Sequence, residues 1–138
     1  MMETYRGVVK ASQVDHMGHM SVQWYAAKFE DATWQFFAAL GITPAYIRKE
    51  KMGMAALEQS IQYHAEVHAG DVLLVRSRAL SCTDKVFKFV HEMVDALNGK
   101  AVATTQIVAV HFDLDKRRAC VFPDTIKNQI QGLLDRQS

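Results

Sequence analysis

The chain has 138 residues, enough for one ordinary domain, and a chain of this size buries roughly two thirds of the surface it exposes when unfolded. Hydrophobic residues at 49% and charged residues at 22% exclude intrinsic disorder and fibrous repeats, and 16 Lys and Arg against 15 Asp and Glu leave no broad cationic field for nucleic acid or anionic lipid. Cys82 and Cys120 have neither a CxxC spacing nor a histidine cluster, and no stretch approaches the roughly 18 apolar residues needed to cross a bilayer, so the expectation is reduced thiols, no metal, no membrane span and a cytoplasmic location.

Two prolines and seven glycines punctuate the chain without a linker or a repeat, and one domain over residues 1–138 is expected. A short strand over residues 5–11 comes first. From Val22, the residues Tyr25, Ala26, Phe29, Thr33, Phe36, Phe37 and Leu40 recur at helical spacing and predict a helix over residues 21–40. Ser21 is placed to cap it through its hydroxyl, Gly41 supplies the left-handed stop, and Pro44 is expected to keep the helix from resuming.

After Met54 the period falls to two. Leu57, Gln59, Ile61, Tyr63, Ala65 and Val67 alternate with Glu58, Ser60, Gln62, His64, Glu66 and His68, the pattern of a half-buried strand with one polar face. A turn at Ala69-Gly70-Asp71 leads to strands over residues 72–80, 86–94 and 101–113, separated by Thr83-Asp84-Lys85 and the hairpin signal Asn98-Gly99. Lys116-Arg117-Arg118 turns the chain into a terminal helix over residues 124–135. One long apolar helix followed by consecutive strands predicts an α+β architecture, an antiparallel sheet curled around the helix with its outer face wet or laid against a second subunit.

The segment that carries chemistry runs from Gln13 to Ser21, where Asp15, His16 and His19 precede a helix N-terminus. The first helical turn presents unpaired amides near residues 21–24, whose dipoles favour a developing oxyanion, and Gly18 permits the tight turn that aims Asp15 at the same spot. A carboxylate facing such a hole can attack an acyl carbon or deprotonate a water that does.

The run from Val14 to Tyr25, with Asp15-His16-Met17-Gly18-His19, then Phe29-Glu30-Asp31-Ala32 and Phe36-Phe37 closing on Leu40-Gly41, resembles the hot-dog-fold acyl-CoA thioesterases of the 4-hydroxybenzoyl-CoA thioesterase type. The resemblance covers nearly the whole chain and extends to Gly70-Asp71 and Lys85-Val86-Phe87. It implies a long central helix wrapped by a curved antiparallel sheet, hydrolysis of an acyl-CoA thioester to free acid and coenzyme A without a further cofactor, and a homodimer or homotetramer with catalysis at the subunit interface.

By the same resemblance Asp15 falls on the catalytic carboxylate, nucleophile or general base, and the backbone amide near Val22 on the one that polarises the thioester carbonyl. His19 stands where related plant acyl-carrier-protein thioesterases carry a histidine in an Asp-x-Asn-x-His run, but Met17 replaces the Asn. Lys85 aligns with a residue that meets coenzyme A phosphates, the Ser that often follows being Val86 here, and Arg117 and Arg118 are further phosphate candidates. Glu30 is a second carboxylate candidate near the acyl site, Glu58 a weaker one. Trp24, Tyr25, Trp34, Tyr5 and Tyr63 offer aromatic surface for an aryl, a short aliphatic or a quaternary-ammonium acyl group. Two other readings stand beside this one, an acyl-thioester hydratase or dehydratase, whose Asp-xxxx-His and His-Phe-Pro-Gly signatures are absent, and a non-catalytic acyl-CoA-binding module.

Overall fold

The computed structural model describes residues 1–137. Strand β1 (Met2–Val8) passes through a short 3-10 turn at residues 11–13 and the Asp15 loop into α1 (Val22–Ala39); α2 (Pro44–Glu50) and β2 (Met52–Tyr63) follow. Strands β3 (Val72–Cys82), β4 (Val86–Asp95), β5 (Ala101–Asp113) and the two-residue β6 (Arg118–Ala119) lead to α3 (Asp124–Gln137). The sheet runs β1-β3-β4-β5-β2 with every pair antiparallel, and β6 pairs with β5 beyond the end of β4.

Several expectations shift at this level. The first strand occupies residues 2–8 rather than 5–11. Ser21 is indeed the N-cap of α1, but its hydroxyl turns back to the Gln13 carbonyl at 3.4 Å and caps nothing. Gly41 supplies the left-handed stop with φ +94°. Pro44, however, begins α2 instead of barring a helix: its fixed φ suits a first helical residue, and the Thr43 hydroxyl accepts from the Tyr46 amide at 3.1 Å.

The alternating stretch also ends earlier than its pattern. Ladder pairing stops at Tyr63; the His64 and Ala65 amides both donate to the Val102 carbonyl, at 2.8 and 3.2 Å, and the chain then peels away. A bulge at Leu57, between the Ala56–Ala109 and Glu58–Val108 pairs, breaks the strict period and leaves Leu57 60% exposed instead of facing the helix. Strand β2 does not pair with β3, its neighbour in sequence. It lies on the far side of β5 as a sheet edge, so residues 64–71 cross the sheet end to reach β3.

Helix α1 lies across the concave face and buries Tyr25, Phe29, Ala32, Phe36 and Phe37. A polar belt divides the core beneath it. Ser77, His91 and Thr105 are successive cross-strand partners on β3, β4 and β5, and all three are buried. The Thr33 hydroxyl donates to the Phe29 carbonyl at 3.0 Å, so His91 Nε2 gives its proton to Thr33 Oγ1 at 2.8 Å and Nδ1 accepts from Ser77 Oγ at 2.5 Å; Thr4 Oγ1 lies 2.7 Å from Ser77. On one side of the belt Phe29, Leu73, Val75 and Met93 pack with Tyr25 and Met20; on the other Phe36, Phe87, Phe89 and Ile107 pack with Ile126, Ile130 and Leu133 of α3. Each fully buried Phe contributes about 2–3 kcal/mol of apolar burial.

Candidate active site

The Asp15 loop is a tight reverse turn built almost wholly from backbone. Val14 and Met20 form an isolated antiparallel bridge, the Asp15 amide donates to the His19 carbonyl at 2.9 Å, and the Gly18 amide donates to the Asp15 carbonyl at 3.0 Å. Gly18 makes this possible with φ +85°, a region costly for any side chain. The Asp15 carboxylate accepts from the Met17 amide at 2.8 Å, which fixes its direction. Partial burial opposes its ionisation, but that amide and the nearby His19 and His16 outweigh it and hold the carboxyl below its ordinary range.

The start of α1 faces the same space. The Trp24 amide donates to the Ser21 carbonyl at 3.0 Å and the Ser21 amide to Gln13 at 3.1 Å, while among the described residues the Val22 and Gln23 amides meet no acceptor. These are the orphan donors of the helix N-terminus, backed by its dipole. Val22 and Asp15 line one cavity of about 330 Å³ with His19, Met20, Tyr25, Tyr63, His64, Ala65 and Glu66.

Glu66 enters the site by the way the crossing segment is tied down. On one side of it the Ala65 carbonyl accepts from the Tyr25 hydroxyl at 3.3 Å; on the other the Val67 carbonyl accepts from the Met20 amide at 2.8 Å. An exposed carboxylate is thereby held beside the loop. His19 stands between two acids, Nδ1 3.8 Å from Asp15 and Nε2 3.8 Å from Glu66. Tyr25 and Tyr63 meet edge to face, ring centres 5.0 Å apart and planes at 88°. Burial first, then Tyr63 and Glu66, push the Tyr25 hydroxyl above its ordinary range, so it stays a neutral donor.

The structure brings Asp15, His19, Val22, Tyr25 and Tyr63 together and sets the other candidates apart. Glu30 lines a larger apolar cavity of about 520 Å³ on the β2 side of α1, with Trp34, Phe37, Met54, Ala56 and Ile107. Trp24 faces the β1 side, in a cleft with Tyr5, Lys28 and Asp31. Glu58 points to the convex face of the sheet, beside Ser60, Gln62 and Gln106.

Lys85, Arg117 and Arg118 gather at the far end of β5. Strand β6 takes the place β4 vacates: the His111 amide donates to the Lys85 carbonyl at 2.8 Å, and Arg118 pairs with Asp113. The Arg117 guanidinium sits 5.5 Å from the Phe112 ring centre. Tyr63, at the Asp15 cavity, is the register partner of Ala103, ten positions before Asp113, so the basic turn lies about 30 Å along β5 from the level of that cavity. Sequence reasoning missed Glu66 and His64. Both read as the polar face of a continuing strand, and no local signal marks where β2 leaves the sheet.

The family model of the thioesterase-like superfamily matches residues 9–130. Among curated relatives, an L-carnitine dehydrogenase/betainyl-CoA thioesterase of Agrobacterium fabrum is 29% identical over 125 residues, 91% of this chain and 25% of the relative. A betainyl-CoA thioesterase of Pseudomonas aeruginosa is 24% identical over 135 residues, 98% of this chain and 85% of the relative. The chain thus spans about a quarter of the first curated relatives it matches. Of solved structures, a Staphylococcus aureus protein in complex with CoA superposes with a TM-score of 0.92 at 20% identity, over 100% of this chain and 89% of that one. A 1,4-dihydroxy-2-naphthoyl-CoA thioesterase from Synechocystis does so with a TM-score of 0.82 at 20% identity, over 94% and 95%. No described helix is long and apolar enough to cross a membrane. With a curled antiparallel sheet around one long helix and a family match over almost its whole length, the chain belongs to the thioesterase-like superfamily and has the hot-dog fold.

Proposed function

We propose that this chain is an acyl-CoA thioesterase that hydrolyses its substrate to a free acid and coenzyme A, with Asp15 as nucleophile or general base. The observation that carries this reading is that the ionised Asp15 carboxylate and the unpartnered Val22 amide share one cavity. A thioester carbonyl seated against the Val22 and Gln23 amides gains an oxyanion hole as the tetrahedral intermediate forms. Asp15 then takes the proton of an attacking water, or attacks the carbon itself to form an acyl anhydride that water later cleaves to free acid and Asp15, and in either route the electron pair of the C–S bond leaves on sulfur. His19, its Nδ1 3.8 Å from Asp15, is the neighbouring group placed to handle a proton.

The named activities of the relatives support thioester hydrolysis, and the betainyl-CoA thioesterases among them favour a short, cationic acyl group. Coenzyme A phosphates fall to Lys85, Arg117 and Arg118. Because these lie about 30 Å along β5 from the level of the Asp15 cavity in one chain, those serving a given site belong to a second copy. A homodimer through β2 fits that requirement. Strand β2 is a 12-residue edge that pairs with no second strand among the described residues, with Leu57 exposed and the larger cavity open beside it. The protein then works as a cytoplasmic homo-oligomer and needs no cofactor beyond its substrate.

Thiol release from a panel of short-chain, long-chain, aryl and quaternary-ammonium acyl-CoAs, by wild type and Asp15→Asn, tests the reading. Turnover of one class with a loss of at least about a hundredfold in the folded variant, some 2.7 kcal/mol, supports it. Binding without turnover would leave an acyl-CoA-binding module, and hydrolysis that survives the substitution would move the chemistry away from Asp15. Single-turnover hydrolysis in oxygen-labelled water separates the routes, since direct attack passes an Asp15 oxygen to the product.

A further inference from the structure

A short acyl group limits which side chains can recognise it. In an acyl group that carries a quaternary ammonium on the carbon next to the carbonyl, the nitrogen lies about 2.5 Å from the reacting carbon. An aromatic face attracts such a cation within about 6 Å of its centre. Residues that select the charge therefore lie within about 8 Å of the carbon held between Asp15 and the Val22 amide. Glu30 is eight residues along α1 from Val22, about 12 Å of rise, and it opens into the larger cavity on another side of the helix. That cavity begins at Gln23, beside Val22, and suits a longer apolar chain, but its Glu30 end is out of reach of a two-carbon acyl group seated at Asp15 in the same chain.

The Asp15 cavity itself has the composition of a cation site. Its lining includes two carboxylates, Asp15 and Glu66, two phenol rings, Tyr25 and Tyr63, and two imidazoles, His19 and His64, and among the described residues neither Lys nor Arg lines it. Tyr25 and Tyr63 stand at right angles, which makes two walls of a corner, and Tyr25 is anchored by its hydroxyl to the Ala65 carbonyl next to Glu66. The tethers at Ala65 and Val67 fix the backbone that carries Glu66 at the cavity beside that corner, so the chain there needs little further ordering on binding.

We infer that Tyr25, Tyr63 and Glu66 form the acyl-recognition corner of the site and select a short acyl group bearing a quaternary ammonium, Tyr63 and Tyr25 through their ring faces and Glu66 through its charge. This rests on the thioesterase reading with a short cationic acyl group and adds the residues that choose that group. The neutral carbon isostere of the same acyl group fills the same space and gains only apolar contact.

The test compares trimethylammonioacetyl-CoA with 3,3-dimethylbutanoyl-CoA, which has the same shape without the charge. The wild type is expected to favour the cationic thioester by at least about tenfold in kcat/KM. Tyr63→Leu, which keeps apolar bulk, and Glu66→Gln, which keeps shape on an exposed residue, are each expected to cut that ratio severalfold while the neutral thioester is still hydrolysed. Equal turnover of the two thioesters by wild type would overturn the inference and leave the thioesterase reading intact. A ratio unchanged in both variants, or one lost in Glu30→Gln instead, would also overturn it. Failure of every acyl-CoA to release thiol would defeat both readings together.

Discussion

The two halves of the core share one helix and one sheet, yet they end differently on either side of the His91 belt. Beyond Phe36 the sheet end is closed: Phe122 and α3 cover it, and His111 is fully buried with Nε2 2.8 Å from the Tyr46 hydroxyl and Nδ1 3.1 Å from the Val121 carbonyl. Burial, ahead of the opposing bonds to Val121 and Cys120, pushes His111 down, and it pushes the Tyr46 hydroxyl up to about 12. Beyond Phe29 the end is open. There His19 lies at a cavity mouth between two carboxylates, neither of them within hydrogen-bond distance. A histidine satisfied on both nitrogens inside the fold is a packing group, whereas one left between acids at an opening is free to serve chemistry.

If the closed half is where stability resides, Phe36→Ala should have the largest effect of any single change. Its ring touches Phe87 and Phe89 with centres 5.9 and 5.5 Å away, and its removal should cost about 3–5 kcal/mol, read as a lowered urea midpoint. A loss below about 1 kcal/mol would break the contrast.

Acid should act on the belt between the halves. Burial drives the His91 pKa down to about 4 from an ordinary 6.5, so the unfolded chain binds a proton that the fold refuses. Stability is then complete above about pH 6.5 and declines as the pH falls toward 4, by about 3 kcal/mol, with His111 adding loss in the same direction. Unfolding free energies measured between pH 7 and 4 should trace that slope; a flat profile would mean His91 is not held neutral.

At the open end the expected effect is on rate and not on folding. Asp15→Asn should lower kcat/KM about a hundredfold while the unfolding midpoint stays within about 0.5 kcal/mol of wild type, because the amide still accepts from Met17. A thermal melt run beside the assay distinguishes a catalytic loss from a folding one. The smallest effect belongs to the basic turn. Replacing Lys85 or Arg118 by Gln should raise KM for CoA thioesters about fivefold with kcat unchanged, and added salt should mute the difference.

Much of the fold was legible in the residues, and the exceptions have physical causes. The 3.6 period from Val22 to Leu40 and the two-residue periods of β3, β4 and β5 place those elements nearly at their observed bounds, β5 at both ends. Asp15 and the amide near Val22 were legible as a pair because a glycine turn and a helix start lie within eight residues of one another. Leu57 was not, since a bulge adds one residue and reverses the faces without a residue type that announces it. Pro44 carried two meanings, helix breaker and first helical residue, and only Thr43 bonded to Tyr46 decides between them.

By itself the sequence determined that α1 and α3 become helices and β3, β4 and β5 strands, which face of α1 turns inward, and that a carboxylate stands before the first turn of the long helix. Those are local properties, read from spacing along the chain. Tertiary structure alone decided that β2 joins β5 and not β3, that Glu66 arrives beside His19, and that one helix divides its neighbours among three separate cavities. Periodicity states that a face is buried but not against what, and the partner is chosen only when distant segments compete to cover it.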